Sequence, residues 1–321
     1  MTHSDVFVPQ PDQHELNRAT AYITENMQYP DATRAENLTA LRAAPYTLSG
    51  PLTLPVHEQT IATPQGHELR LRIIRPEAEI RAVVVDLHGG GWSMGSPVDH
   101  DWFNGQLAEQ CRIASVSVDY RLAPEHPHPA ALEDCHTAAV WTARRAVAEF
   151  GTDRLLMHGA SAGAHLGAQT LLLLRDDEPE VFARFEAASF AYGLYDAGRT
   201  PSHRNATADT PVLPDHWLRD FIDNVFPALT DEERRHPSRS PLYADLATMP
   251  PALFTVGSVD PLLDDSLFMA ARWRAAGNDA ALDVWPDAMH GFSNLALAPR
   301  TGRLATQRIS TWFNARLDDR S

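Results

Sequence analysis

From about residue 55 onward, short apolar runs alternate with longer helical stretches, and this alternation restricts the chain to few architectures. Leu69 to Arg75 (LRLRIIR) alternates with period two, the pattern of a half-buried strand. Ala82 to Leu87 (AVVVDL), Ile113 to Val118 and Leu155 to Met157 are short apolar runs closed by Gly, Pro or polar residues. Such runs suit strands buried on both faces of a largely parallel sheet. The spacing predicts helices over Pro129 to Phe150, Ala162 to Arg175 and Leu262 to Ala276. Pro251 to Val256 and Ala281 to Trp285 read as the last two strands, with a final helix near Thr306 to Leu317. Strands alternating with helices predict an α/β fold, its mostly parallel central sheet covered by helices on both faces.

Two segments stand outside the alternation. Residues 1–50 read as helical without strands, with an apolar patch at Leu38-Thr-Ala-Leu41. Residues 192–245 hold Pro201, Pro211, Pro214, Pro227, Pro237 and Pro241 around one apolar helix. In it Leu213, Trp217, Leu218, Phe221, Ile222 and Val225 recur at three- and four-residue spacing. Periodicity alone allows plain packing on the main core. It also allows a cap over the carboxyl edge of the sheet, where ligand sites of α/β proteins lie. The expected organisation is therefore a cap built from 1–50 and an insertion at 192–245, over a core of 51–191 and 246–321.

Composition removes several chemistries. All 27 basic residues are Arg, so a Lys Schiff base, a P-loop lysine and a Ser-x-x-Lys pair are excluded. The net charge of −15 gives no support to nucleic-acid binding. Cys111 and Cys135 are too few for a disulfide framework or a four-thiolate zinc site. The first residues lack the basic and apolar regions of a signal peptide, and no apolar run nears the roughly 20 residues of a membrane span. The expectation is a cytoplasmic protein without membrane insertion; its oligomeric state stays open.

Two pentapeptides fit G-x-S-x-G: Gly159-Ala-Ser161-Ala-Gly163 and Gly91-Trp-Ser93-Met-Gly95. A nucleophilic serine of this type sits at a strained strand-to-helix turn, flanked by small residues that avoid clashes. Ser161 follows an apolar run and precedes AGAHLGAQTLLLLR, a strong helix former; Ser93 runs into Ser96-Pro97, which is loop chemistry. Ser161 is thus the candidate nucleophile. His88-Gly-Gly-Gly91-Trp92 directly follows the strand ending at Leu87, and backbone N–H groups without side chains can converge there on developing negative charge. Asp260 lies just past one strand and His290 in the loop after another. Ser161, Asp260 and His290 follow the chain order of a Ser-Asp-His triad on such a sheet.

With these motifs assembled, the chain resembles the hormone-sensitive-lipase-like carboxylesterases of the α/β-hydrolase fold. HGGGW at 88–92, DYRLAPE at 119–125, GASAG at 159–163, DPLLDD at 260–265 and HGF at 290–292 carry the resemblance. It implies a Ser161–His290–Asp260 triad, oxyanion donors from Gly90, Gly91 and Ala162, a helical cap, and no cofactor or metal. It implies a small-molecule ester substrate of short to medium acyl length. Amide or formamide hydrolysis by the same triad is the alternative, and a catalytically silent receptor a more distant one. Many relatives have Asp where Ala160 stands, and an aromatic where His128 stands. The run His126, His128, Cys135 and His136 matches family scaffold rather than a metal site.

Overall fold

The apolar runs lie side by side because each buries both of its faces. In the computed structural model, which describes residues 6–7, 9–43, 52–294 and 297–319, nine strands form one sheet. They are β1 (Val6–Phe7), β2 (Val56–Ala62), β3 (Glu68–Ile74), β4 (Ala82–Leu87), β5 (Ile113–Val118), β6 (Leu155–Ala160), β7 (Phe185–Ala191), β8 (Ala252–Gly257) and β9 (Ala280–Trp285). Their order is β1-β9-β8-β7-β6-β4-β5-β3-β2; near one edge β3 runs antiparallel to both of its neighbours, β2 and β5, and the remaining pairings are parallel. Every residue of β4, β5, β6 and β8 is buried, as expected of two-sided strands, and β3 alternates as its sequence predicts.

Strand alternation divides the core between two helical layers. Val83 and Val85 face a layer that includes Ala130–Phe150, Ala162–Asp177 and Leu263–Ala275. Val84 and Leu156 face Phe103, Leu107, Trp312 and Phe313 of Asp101–Cys111 and Pro299–Asp318. Cys111 and Cys135 are both free and buried. Among the described residues, no helix is long and apolar enough to cross a membrane.

The N-terminal segment departs from the expectation of helices alone. Beside helices Gln13–Asn26 and Ala35–Ala43 it contributes β1, which extends the sheet by pairing with β9. Two residues are too few to show a period, so this strand exists only through its partner. Residues 1–5, 8 and 44–50 of that segment lie outside the described residues. In the second outlying segment, helix Asp215–Val225 buries Trp217, Leu218, Phe221, Ile222 and Val225, as their spacing predicts. Hydrogen bonds stitch the two segments together. Trp217 Nε1 donates to the Pro30 carbonyl at 2.7 Å, Asn224 Nδ2 to that of Ala32 at 3.0 Å, and the Ala32 N–H to Asp220 at 2.9 Å.

Candidate active site

Sheet register sets the site. Leu87 pairs with Gly159 across β4 and β6, so the loop after Leu87 and the turn at Ser161 leave the sheet together. Gly257 pairs with Trp285 across β8 and β9, so the loops bearing Asp260 and His290 do the same. All four loops leave carboxyl ends of parallel strands.

Ser161 has φ 54° and ψ −118°, a conformation that strains any residue with a Cβ. The turn is held by the Ser161 N–H, which donates to the Ala191 carbonyl at 2.8 Å. It also needs close backbone approach: a Cβ on Gly163 would lie 1.9 Å from the Leu87 carbonyl oxygen. The strain presents the hydroxyl to His290, whose Nε2 lies 2.9 Å from Ser161 Oγ. His290 Nδ1 is 2.9 Å from Asp260 Oδ2 and 3.1 Å from Oδ1. Asp260 is buried and fixed in turn, its Oδ1 accepting the Leu262 N–H at 2.8 Å.

Gly90 and Gly91 have φ of 113° and 58°, which glycine adopts without strain. The Gly90 carbonyl accepts from the N–H groups of Ser93 and Met94, closing the loop into a tight turn beside Ser161. Ala162 opens the following helix, where the first N–H groups have no intrahelical acceptor. All six predicted site residues therefore fall in one region: Ser161 and His290 share a cavity wall with Gly90, Gly91 and Ala162, and Asp260 lies behind His290. Ser93 is elsewhere: it is buried, and its hydroxyl accepts from Asn224 at 3.3 Å rather than meeting a histidine.

Two cavities meet at Ser161 and His290. One, about 200 Å³, is walled by Leu213, Trp217, Leu218 and Phe221; the other, about 350 Å³, by Tyr22, Ile23, Tyr192 and Leu297. Phe221 lies so close to Gly91 that a Cβ there would come within 2.4 Å of the ring. Ala160 lines the second cavity beside Ser161, where its methyl group forms apolar wall.

One polar cluster beneath the site was not anticipated. Asp86, His100 and His158 bring ligand-capable atoms within 4.8 Å, whereas the run from His126 to His136 forms no such group among the described residues. Hydrogen bonds account for its carboxylate. Asp86 accepts from His100 Nδ1 and Asn104 at 2.8 Å and from Ser117 at 2.7 Å. Burial opposes both charges of the Asp86–His100 pair, but mutual attraction wins, holding the carboxyl below its usual range and raising the imidazole. Burial pushes His158 down to about 3 and so keeps it neutral. The spacing of 14 residues between Asp86 and His100 gave no local signal for this pair.

Residues 84–294 match a family model described as alpha/beta hydrolase fold. The chain belongs to the hormone-sensitive-lipase-like carboxylesterases of the α/β-hydrolase fold. It is 34% identical over 263 residues to a carboxylesterase, NlhH, of Mycobacterium tuberculosis, covering 79% of this chain and 81% of that one. An arylesterase of Saccharolobus solfataricus is 31% identical over 250 residues, covering 76% and 78%. Among solved structures, an esterase of Pyrobaculum calidifontis superposes with a TM-score of 0.81 at 28% identity, over 95% of this chain and 99% of that one. As a member of this family the chain is a serine carboxylic-ester hydrolase.

Proposed function

We propose that Ser161, His290 and Asp260 hydrolyse carboxylic esters through an acyl-enzyme, with Gly90, Gly91 and Ala162 holding the oxyanion. The Ser161–His290–Asp260 chain, at 2.9 Å in each link, carries this reading. Ser161 Oγ attacks the ester carbonyl while His290 Nε2 takes its proton. Asp260 accepts from Nδ1–H, which leaves the Nε2 lone pair facing the hydroxyl and stabilises the imidazolium. The tetrahedral oxyanion accepts backbone N–H donors, each contributing about 3–4 kcal/mol in the transition state. Collapse breaks the C–O bond as His290 protonates the leaving alkoxide; water then repeats the sequence and frees the acid. A fluorophosphonate probe should label Ser161 stoichiometrically, and an unlabelled protein would point to binding without catalysis.

We further propose that residues 1–50 and 192–245 act as a cap whose apolar side chains bound the acyl pocket. The stitching of Trp217, Asn224 and Ala32 supports this, as do the cavity walls formed by Trp217 and Phe221. Each buried CH₂ contributes about 0.8 kcal/mol until the pocket fills, after which overpacking costs roughly 1–3 kcal/mol. Across p-nitrophenyl esters from acetate to palmitate, kcat/KM should peak at about two to eight acyl carbons. Phe221→Ala should move the peak to longer chains. A palmitate optimum in the unaltered protein, or an unmoved peak in the folded variant, would remove the cap from the acyl pocket.

A further inference from the structure

Gly90, Gly91 and Trp92 have successive φ values of 113°, 58° and 56°. Glycine takes such values freely, but a bulky residue there is strained and persists only where its surroundings hold it. Trp92 is buried and held at two points. Its carbonyl accepts the Ala123 N–H at 2.8 Å, and its indole Nε1–H donates to His165 Nδ1 at 3.2 Å. The two rings meet edge to face at 5.1 Å. His165 sits one turn beyond Ser161 on the same helix. Its other nitrogen, Nε2, lies 2.8 Å from the Arg239 carbonyl oxygen. A carbonyl only accepts, so Nε2 carries the proton and Nδ1 keeps the lone pair that Trp92 requires.

We propose that His165 is a positioning residue for ester hydrolysis: fixed in the Nε2–H tautomer by the Arg239 carbonyl, it anchors Trp92 and thereby aims the Gly90 and Gly91 N–H groups. This rests on the oxyanion reading above. An imidazolium would offer two donors and no acceptor, and burial guards against it. Desolvation lowers the His165 pKa to about 4, and the nearby His128 acts the same way, against the Arg239 hydrogen bond. Arg239 belongs to the segment following Asp231–Arg234, so this path joins the outlying 192–245 region to the oxyanion loop through the nucleophile helix.

The test compares His165→Leu, which has no acceptor, with His165→Asn, whose Oδ1 overlies the Nδ1 position. On p-nitrophenyl acetate, His165→Leu should lower kcat about 10- to 100-fold and change KM less than about twofold, the effect of a displaced catalytic group. It should weaken a trifluoromethyl ketone by the same factor, since the hemiketal oxygen occupies the oxyanion site. His165→Asn should recover most of both. In a Trp92→Phe background, His165→Leu should add little, because the shared contact is already gone; Trp92→Phe alone provides the comparison if His165→Leu fails to fold. A lower Tm with kcat per labelled Ser161 and ketone affinity unchanged would reduce His165 to a structural residue and overturn the proposal. Absence of any hemiketal on Ser161 in the unaltered enzyme would instead overturn the oxyanion reading, and this inference with it.

Discussion

Ser161→Ala is expected to lower kcat for ester hydrolysis on the order of 10⁶-fold, the size seen when a triad nucleophile is removed. Ser161 alone combines a strained turn, a hydroxyl 2.9 Å from His290, and adjacency to the glycine loop. On the mechanism proposed above, His290 then has no hydroxyl to activate, and any residual rate would come from the oxyanion donors acting on water. Folding should be little affected, because the turn is held by the backbone bond to Ala191 and by the glycines, not by the hydroxyl. Ser93→Ala is the control, since both serines lie in G-x-S-x-G. Among the described residues, the Ser93 hydroxyl meets Asn224 at 3.3 Å, and Asn224 keeps its bond to Ala32 without it. The variant should retain a measurable part of kcat, with at most about 1 kcal/mol lost in stability. Progress curves on p-nitrophenyl butyrate, normalised to folded protein, decide between them. An active Ser161→Ala beside an inactive Ser93→Ala would exchange the two pentapeptides.

What was legible in the sequence follows the depth of each element. β4 and β5 are buried at every position, so their apolar runs marked both boundaries. β2 is an edge strand with most side chains exposed, so no apolar run marks it in the sequence. β7 (FEAASFA) is buried except at half-buried Glu186, and Glu186 and Ser189 break up the apolar run that would have marked it. Helix Asp101–Cys111 buries Phe103, Leu107 and Cys111 one turn apart, a stripe of three residues too short to set a clear period. The proposed triad was readable because each member lies just past the end of a strand, and register carries those strand ends together. The contacts supporting it were not. Trp92 and His165 are 73 residues apart, and the tautomer that joins them is set by a carbonyl a further 74 residues on. No local pattern encodes such a pair, whereas glycines at positive φ leave a trace in sequence.

Asp260→Asn should lower kcat by about 10³–10⁴-fold while the protein stays folded, the cost of losing the correct histidine tautomer. With a carboxylate at 2.9 Å, His290 carries its proton on Nδ1 and faces Ser161 with the Nε2 lone pair. An amide in that place can donate as well as accept. When its NH₂ meets Nδ1, the proton moves to Nε2 and the base is lost; the imidazolium formed during attack also loses its counter-charge. Two other carboxylates lie close in sequence, but both are already engaged. Asp264 accepts the Ser202 N–H at 2.7 Å. Asp265 is buried and accepts from the Tyr195 and Asp196 N–H groups and the Thr200 hydroxyl, and burial pushes its pKa up to about 7 despite those bonds. Asp264→Asn should therefore keep most of kcat. Asp265→Asn should show its effect in Tm, since the amide oxygen can still take the Tyr195 and Asp196 N–H groups but an NH₂ replaces the oxygen that accepts from Thr200. Measuring kcat and Tm for the three variants separates these roles. Near-unaltered activity in Asp260→Asn, with loss in folded Asp264→Asn or Asp265→Asn, would move the acid of the proposed triad from the loop into the first turn of helix Leu263–Ala275.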